Sequence, residues 1–254
     1  MTRWALGVEY DGTHYCGWQQ QPGLRTIEVA LAEAIGHVAD HPISLVCGGR
    51  TDAGVHAKGQ VVHLETSASR SARAWVLGVN ANLDSSMSVS WARPVPDHFH
   101  ARFSALRRHY RYSIFNRSAR SAWYSQRTSW VQSRLDVEAM QQGGNALLGE
   151  HDFSAFRAAE CQSRSPIRRL DTLTVTREDD LVHIDVAANA FLHHMVRNIA
   201  GLLISIGRGE RSIEQVRAIL ESRDRRKNAP TAAPEGLCLR AIEYPQAFGL
   251  PLPV

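Results

Sequence analysis

Hydrophobic and polar residues in the first hundred positions follow two different periods. Residues 4–10 alternate between apolar side chains and polar or small ones, which predicts a half-buried strand. Residues 27–38 instead carry apolar side chains at helical spacing, and Thr26 precedes them as a candidate N-cap. The same two periods predict further strands at 43–47, 61–65 and 87–93 and a helix at 71–80. This order of elements is typical of an α+β unit built on an antiparallel sheet.

The second half of the chain repeats this mixture of elements. We therefore expect the α+β class, with two ferredoxin-like α+β halves around a mainly antiparallel sheet and a cleft between them. The predicted domains are residues 1–105 and 106–254. The elements predicted for the second half are a strand at 110–114, a helix at 136–148 ended by Gly149, strands at 172–176 and 182–186 joined by a turn at 178–180, and helices at 192–206 and 212–222.

The composition is that of an ordinary globular protein. The chain has 254 residues, of which 44% are hydrophobic and 21% are charged, and its length corresponds to roughly 1.7 domains. It has no apolar run near the roughly 20 residues of a membrane span, and no apolar signal-peptide core. Its four cysteines lie too far apart for a CxxC zinc or redox element. We expect a cytoplasmic protein with reduced cysteines and no membrane partner.

Arginine supplies nearly all of the positive charge. The formal net charge is +4, and since Lys58 and Lys227 are the only lysines, 27 of the 29 lysine and arginine residues are arginines. The guanidinium group binds phosphate in a bidentate way and stacks on bases, so this excess favours a nucleic-acid partner. A genomic preference for arginine codons explains the same excess equally well.

The richest chemistry lies between the predicted strands 43–47 and 61–65. Residues 48–57 read Gly-Gly-Arg-Thr-Asp-Ala-Gly-Val-His-Ala. Three glycines in seven positions permit positive φ angles or a close approach of a ligand to the backbone. A guanidinium, a hydroxyl, a carboxylate and an imidazole lie among them. Taken alone, the segment is also compatible with an ordinary loop in which Asp52 makes an Asx-turn or caps a helix.

Residues 49–57 resemble the signature of the TruA family of tRNA pseudouridine synthases. Each block of this kind is weakly specific alone, but an ordered set that spans nearly the whole chain is highly specific. The further blocks, in the family's order, are Phe-His-Ala-Arg-Phe-Ser at 99–104, Arg-His-Tyr-Arg-Tyr at 108–112, Asp-Phe-Ser-Ala-Phe at 152–156, Ser-Arg-Ser-Pro at 163–166, Asn-Ala-Phe-Leu-His-His-Met-Val-Arg-Asn at 189–198 and Ala-Pro-Glu-Gly-Leu at 233–237.

The resemblance implies the pseudouridine synthase fold and the isomerisation of uridine to pseudouridine at nucleotides 38 to 40 of the tRNA anticodon arm. In that reaction the N–C glycosidic bond breaks, the uracil turns and a C–C bond forms, without a metal or a cofactor. Asp52 is implied as the essential carboxylate, and a nucleophilic or basic carboxylate must be ionised and open to a pocket. The resemblance also implies a homodimer that binds tRNA across both subunits.

The resemblance assigns roles to four more residues. Arg197 is implied as the partner that keeps Asp52 ionised. It lies roughly 160° from the apolar stripe of its predicted helix, and is therefore free to face a cleft. Arg50 is implied to act when the target base flips out of its paired arm, by filling the gap or holding the displaced base. Tyr110 is implied to support the flipped uracil, with a possible part in proton transfer, and Leu239 to form an apolar wall under it.

The remaining basic residues of these blocks are candidates for holding the RNA by its phosphates. Since only one face of the protein can do so, we expect about half of them at most to touch RNA. His56 is a further candidate substrate contact. His193 and His194 are adjacent on a predicted helix, where they point in different directions and cannot form an i, i+4 zinc pair. The basic candidates are Arg164 and Arg168 as substrate-binding residues, and Lys58, Arg102, Arg107, Arg108, Arg111 and Arg169.

Two other functions are compatible with parts of the pattern. A non-catalytic RNA-binding module would also use arginines, but it gains nothing from a carboxylate facing phosphate. A phosphohydrolase with an aspartate nucleophile would need further carboxylates to hold Mg²⁺, and Asp52 has no close acidic neighbour in the sequence. The residues leave open whether Asp52 attacks C1′ of the sugar, attacks C6 of the uracil or removes the 2′ proton.

Overall fold

A computed structural model describes residues 1–251 of the chain. The predicted α+β class and the mainly antiparallel pairing of the strands are confirmed. The strands are β1 (Thr2–Tyr10), β2 (Val46–Cys47), β3 (His56–Thr66), β4 (Met87–Pro94), β5 (Arg107–Asn116), β6 (Ser129–Val131), β7 (Gly149–Asp152), β8 (Ile167–Glu178), β9 (Leu181–Ala188) and β10 (Leu237–Glu243). The helices are α1 (Ile27–Ala39), α2 (Ala72–Asn82), α3 (Val137–Asn145), α4 (Met195–Gly207) and α5 (Glu214–Ser222).

The chain divides into two compact units. The first comprises Met1–Arg108 together with the chain from Leu239 onward, and the second is His109–Cys238. The predicted domains, 1–105 and 106–254, leave out this return of the chain to the first unit. The return has a packing cause, because Tyr244 and Phe248 pack on Phe99 with ring centroids 5.2 Å and 5.0 Å away.

The first unit is a sheet that carries two helices. The strand order is β4-β1-β3-β10, with β2 also paired to β3. Strand β1 is antiparallel to both β3 and β4. Helix α1 packs against α2, and α2 packs against β4. Trp4 of β1 and Trp75 of α2 meet edge to face at 6.0 Å, and both are buried.

Strand β1 is buried on both faces over most of its length, whereas its alternating pattern predicted one buried face. Trp4, Leu6 and Val8 are buried on one face, and Ala5 is buried on the other. Ala5 belongs to a second cluster that the C-terminal residues cover, namely Val61, Val95, Phe99 and Ala101 with Trp91, Tyr244, Phe248 and Leu250 packed against them. Ala5 on the second face is small and apolar, so a segment that is distant in sequence can pack over it.

Helix α1 begins where the sequence predicts, with Thr26 as its N-cap residue. Its hydroxyl makes no capping hydrogen bond. The first N–H groups of the helix, from Ile27 and Glu28, donate instead to the carbonyls of Gly17 and Trp18 at 3.1 Å and 3.0 Å. The helix start is therefore satisfied by a backbone segment that also packs against the loop at 48–55, described below.

The second unit has the strand order β5-β9-β8-β7, with the short β6 parallel to β5. Strand β8 is antiparallel to both β7 and β9. The turn predicted at 178–180 is present, because Glu178 pairs with Leu181 and Asp179 has a φ of 53°. Helix α3 packs against α4 and β8, and α5 packs against the 3₁₀ turn Ser154–Phe156.

Several predicted elements have other bounds in the structure. The strand predicted at 43–47 contains only Val46–Cys47, and the one predicted at 61–65 begins already at His56. Helix α3 ends at Asn145, and Gly149, with a φ of 98°, begins β7 rather than ending the helix. Strands β6 and β7 are too short to show a period. Within residues 1–251, none of the helices has the length and apolar character needed to cross a membrane.

Candidate functional site

The loop that joins β2 to β3 begins at Gly48, which is held from several directions. Its N–H donates to Val61 O at 2.8 Å, and its carbonyl accepts two hydrogen bonds from Arg108, at 3.2 Å from Nε and 3.0 Å from Nη2. A Cβ at Gly48 would lie 2.6 Å from Ile242 Cδ1 and 2.7 Å from Tyr244 Oη, so glycine is required. Arg108 is buried as a clamp on this carbonyl. Its prediction as an RNA contact is therefore wrong.

A buried amide from β3 holds the next residue of the loop. Gln60 Oε1 accepts from the Gly49 N–H at 3.2 Å, and Gln60 Nε2 donates to Gly49 O at 2.5 Å. Tyr10 Oη lies 3.3 Å from Gln60 Nε2 and 2.8 Å from Thr51 Oγ1. Buried groups therefore hold both neighbours of Arg50. Sequence analysis missed Gln60. Its only signal in the sequence was a single amide side chain next to the apolar run that begins at Val61.

The other side of the loop packs against the segment 12–18. The Trp18 N–H donates to Thr51 O at 3.0 Å, and the Gly54 N–H donates to Tyr15 O at 3.3 Å. Gly17 has a φ of 85°, and a Cβ there would lie 3.0 Å from Thr51 O. A Cβ on Gly12 would overlap the carbonyl of Val55. Two backbone segments that are distant in sequence therefore lie in direct contact, which only glycine permits.

This packing leaves few side chains of the loop exposed. Thr51 is buried, whereas Arg50 is exposed and Asp52 is half-buried. The loop turns through a main-chain hydrogen bond from the Val55 N–H to Asp52 O at 3.1 Å. No helix begins within residues 48–57, so the alternative role of Asp52 as a helix cap is wrong. A guanidinium and a carboxylate two residues apart are thus presented on a braced backbone.

His56 is buried at the start of β3. Its Nδ1 lies 3.1 Å from the Gly12 nitrogen and 3.2 Å from Asp11 Oδ1. A backbone N–H can only donate, so Nδ1 accepts from Gly12 and carries no proton in this arrangement. Asp11 is then a close neighbour of the ring and not its salt-bridge partner. The ring fastens residues 11–12 to the end of the loop, which is a structural role, and its contact with substrate stays a prediction.

The other residues predicted in the first unit differ in exposure. Lys58 and Arg102 are exposed. Arg107 forms an ion pair with Glu243, with 3.2 Å between Nη1 and Oε2. Leu239, the predicted apolar wall, lies in β10 with 0% of its surface exposed.

In the second unit, the two tyrosines of β5 have separate environments. Tyr110 is buried, and its ring meets the half-buried Phe191 edge to face at 5.1 Å. Tyr112 is fully buried, and its hydroxyl donates to Ala233 O at 2.9 Å. Burial raises the pKa of Tyr112 above its usual value. Tyr112 is therefore a core residue.

Arg197 lies on the side of α4 that is covered by residues 230–232. Its Nε donates to Ala232 O at 2.8 Å, and the Ala232 N–H donates back to Arg197 O at 3.1 Å. One turn later, a Cβ on Gly201 would overlap the carbonyl of Pro230. Arg197 is half-buried and shares this side of α4 with an irregular backbone segment, and its place in a cleft stays a prediction.

Asn198 joins two of the sequence blocks, 189–198 and 152–156, to Arg225 and Thr231 within the second unit. Its Nδ2 donates to Phe156 O at 2.8 Å. Its Oδ1 accepts from Thr231 Oγ1 at 2.7 Å and from Arg225 Nη2 at 3.0 Å. Asn198 is fully buried, so these bonds satisfy a group that would otherwise be costly to bury. Sequence analysis did not assign Asn198, Arg225 or Thr231 a role.

The sequence predicts that His193 and His194 lie on a helix, but in the structure both precede the helix. Helix α4 begins at Met195, and His194 is its N-cap residue with a left-handed φ of 62°. The two imidazole rings lie 4.1 Å apart, so they do not point in different directions. The backbone explains the difference, because a left-handed residue turns the chain before the helix begins.

The arginines predicted as RNA contacts in the second unit are mostly engaged by their own surroundings. Arg111 forms a bidentate pair with Asp185 at 2.8 Å and 2.9 Å. Arg169 pairs with Asp171 at 2.8 Å. Arg168 donates to Ser163 Oγ at 2.7 Å and to Ser165 O at 3.0 Å, and its burial lowers its pKa. Arg164 is exposed.

Comparison with known proteins identifies similar sequences over nearly the full length. The family model described as tRNA pseudouridine synthase matches residues 7–104 and 145–245. The chain is 53% identical over 249 residues to the tRNA pseudouridine synthase A of Vibrio cholerae, covering 98% of this chain and 94% of that one. The protein of the same name from Nitrosococcus oceani is 50% identical over 249 residues, with 98% and 96% covered. That of Pseudomonas aeruginosa is 48% identical over 252 residues, with 99% and 88% covered.

Proposed function

The chain belongs to the tRNA pseudouridine synthase family, and we propose that it converts uridine to pseudouridine at nucleotides 38 to 40 of the tRNA anticodon arm, with Asp52 as the catalytic carboxylate. The enzyme is an isomerase, so the product has the same atoms as the substrate. The bond between N1 of uracil and C1′ of ribose breaks, and C5 is joined to C1′ instead. C5 loses a proton and N1 gains one.

The observation that carries the proposal is the bracing of the loop around Asp52. Gly48, Gly49 and Thr51 are held by buried partners, and the segment 12–18 packs on the other side. A catalytic group must be held close to its productive geometry, because a displacement of about 1 Å can cost about 100-fold in rate. The half-buried Asp52 carboxylate combines such a support with partial exposure.

The other predicted residues keep their roles as part of this proposal. Arg50, exposed beside Asp52, occupies the gap left by the flipped base or holds the displaced base, since a guanidinium can bind phosphate and stack on a base. Tyr110 and Leu239 contact the flipped uracil, and Arg197 keeps the catalytic carboxylate ionised. Arg164 and Arg168 bind the RNA backbone. No metal or cofactor takes part. Tyr110 lies outside the two stretches that the family model matches, so its role rests on the resemblance of residues 108–112.

Replacement of the carboxylate tests the proposal most directly. We expect Asp52→Asn to lower turnover by about 10⁴-fold, the scale seen when a single catalytic group is removed, while tRNA affinity stays near that of the wild type. Pseudouridine mapping in tRNA measures the first, and filter binding the second. Asp179→Asn is the matched control, because Asp179 is exposed in a left-handed turn that asparagine also tolerates.

Three outcomes of this test have separate meanings. Product formed by Asp52→Asn within 10-fold of the wild type would overturn the role of Asp52. Binding of tRNA by the wild type with no product at any nucleotide would favour a non-catalytic RNA-binding module. Product at nucleotides other than 38 to 40 would overturn the proposed target. Product analysis with 5-fluorouridine tRNA distinguishes attack on C1′, attack on C6 and removal of the 2′ proton.

We also propose that the protein acts as a homodimer in the cytoplasm, with tRNA bound across both subunits. This follows the resemblance of the whole chain to its family. Analytical ultracentrifugation with and without tRNA measures the stoichiometry, and a complex of one protein chain with one tRNA would contradict the dimer. Cell fractionation measures the location.

A further inference from the structure

Three exposed aromatic side chains lie within residues 123–130, in the segment between β5 and β6 and in β6 itself. Trp123 is 87% exposed, Trp130 is 48% exposed and Tyr124 is 36% exposed. Over residues 1–251, Phe103 is the only other phenylalanine, tyrosine or tryptophan among the large exposed hydrophobic side chains. Such grouped exposure of apolar rings marks an interaction site more often than an isolated exposed residue does.

The segment that carries these rings is anchored at several points. Ser121 Oγ accepts from the N–H groups of Trp123 and Tyr124, both at 3.1 Å. Thr128 Oγ1 donates to Tyr124 O at 2.9 Å, and Trp130 Nε1 donates to Arg117 O at 2.8 Å. The turn is therefore held at both ends by its own hydrogen bonds. This ordered backbone holds the Trp123 side chain in its exposed position.

Arginines flank the three aromatic residues in the sequence. Arg117, Arg120 and Arg127 are exposed, and the sequence from 117 to 135 contains no aspartate or glutamate. Arg117 lies over the Phe115 ring at 4.7 Å and is 3.4 Å from Asp180 Oδ2. Phe115 in turn packs against Tyr124 at 5.5 Å. We call the group of Arg117, Arg120, Trp123, Tyr124, Arg127 and Trp130 the Trp123 surface.

We propose that the Trp123 surface binds RNA by stacking unpaired bases on its aromatic rings and pairing its arginines with phosphates. Aromatic faces interleaved with guanidinium groups are the chemistry that recognises unpaired nucleotides. The naming of this RNA as tRNA rests on the proposed function. The surface lies within residues 105–144, between the two stretches that the family model matches.

Charge separates RNA from a second copy of the chain as the occupant. A symmetric contact between two copies places the same patch against itself. That arrangement would bring the exposed Arg117, Arg120 and Arg127 against the same three arginines of the other copy. Like charges across an interface are unfavourable, whereas phosphate supplies the opposite charge for each guanidinium.

Equilibrium binding tests the stacking part of the proposal. We expect Trp123→Ala to raise the Kd for full-length tRNA by about 10-fold, within the range measured for loss of one stacked base. Trp123→Phe retains a ring and should stay within 3-fold of the wild type. Leu77→Ala is the control, since Leu77 is an apolar residue 54% exposed on α2. Single-stranded oligouridine should compete less well against the variant, and duplex RNA equally well.

Salt dependence tests the arginine part. Each lost phosphate contact should lower the slope of log Kd against log salt by about 0.7 to 0.9. We therefore expect the double variant Arg120→Gln/Arg127→Gln to lower the slope by about 1.5. Arg217→Gln removes an exposed arginine that is paired with Glu221 on α5, and it should leave the slope unchanged.

Two results would overturn the proposal. One is a Kd for Trp123→Ala within 2-fold of the wild type together with an unchanged salt slope for the arginine double variant. The other is a change of molecular mass by sedimentation in Trp123→Ala with tRNA affinity per chain unchanged, which would assign the surface to a second copy. These experiments measure binding without turnover, so a failure of the surface proposal is independent of the result for Asp52→Asn. In turn, a failure of the Asp52→Asn test leaves RNA binding by this surface intact.

Discussion

The loop at 48–55 exposes an arginine near a carboxylate, and the Trp123 surface exposes arginines near aromatic residues. The main chains of the two regions are held in opposite ways. In the loop, side chains from elsewhere hold the main chain, and only a few of its own side chains are exposed. In the Trp123 surface, local hydrogen bonds hold the main chain and large side chains extend outward. A reacting group depends on exact position, whereas grip on RNA depends on exposed area and charge.

The contrast between the two regions would fail most clearly if a side chain could be added at a glycine that contacts the loop without loss of activity. We expect Gly12→Ala to lower kcat by about 100-fold, because the new Cβ would overlap the Val55 carbonyl and displace the loop. Single-turnover kinetics at saturating tRNA measures the effect. Gly23→Ala is the control for backbone strain without crowding, since Gly23 has a φ of 72° but a Cβ there would meet nothing within 4 Å. A kcat for Gly12→Ala within 3-fold of the wild type would contradict a rigid loop.

Two amide clamps in the first unit allow a sharper test. Gln60 bonds both the N–H and the carbonyl of Gly49, and Asn80 bonds both groups of Val89, at 2.7 Å and 3.0 Å. Gln60→Leu and Asn80→Leu should each lower the free energy of unfolding by about 2–3 kcal/mol, because backbone groups lose their partners. We expect only Gln60→Leu to lower kcat as well, by about 10-fold. Urea unfolding and kinetics together measure this, and equal kcat losses would be the contrary result.

Acid should loosen the first unit through His63. Its Nδ1 accepts from the Ala101 N–H at 3.1 Å, and burial, followed by the charges of His100 and Arg3, lowers its pKa to about 4. The unfolded chain has a histidine pKa of about 6.5. Unfolded protein thus binds more protons between pH 6.5 and 4, so stability is present above this window and falls as the pH falls through it.

We expect this histidine to account for about 2 kcal/mol of the stability lost on going from pH 7 to pH 4, after allowance for its partial contact with solvent. Urea unfolding of His63→Asn should show a correspondingly smaller loss over the same range. His151→Asn is the control, since His151 is half-exposed and belongs to the second unit. The same pH dependence in His63→Asn and the wild type would disprove the role of His63.

The smallest expected effect belongs to the Trp123 surface. Trp123→Ala should change the free energy of unfolding by no more than about 0.5 kcal/mol, the range of ordinary surface substitutions. Urea unfolding measures it beside Gln60→Leu. A loss above 1 kcal/mol would show that the ring supports the fold, and the contrast between the two regions would then be weaker.

Much of the fold could be predicted from periodicity, and the failures have common causes. Strand β1, helix α1 and the β8–β9 turn follow from local patterns that their own residues determine. Strand β1 was expected to be buried on one face because no local pattern announces the cover supplied by Tyr244 and Phe248. The His193–His194 pair was misplaced because a single left-handed residue interrupts an otherwise helical stripe.

By itself, the sequence determined the α+β class, the family resemblance and the residues at which chemistry is expected, because these depend on local periods and on the identity of side chains. Only the tertiary structure decided which of those side chains are exposed. It placed Arg108 and His56 inside the first unit as supports, and it disclosed Gln60, Gly12 and Gly17 as the frame of the loop. The physical reason is distance along the chain: a close backbone contact or a buried hydrogen bond joins residues whose proximity no local pattern records.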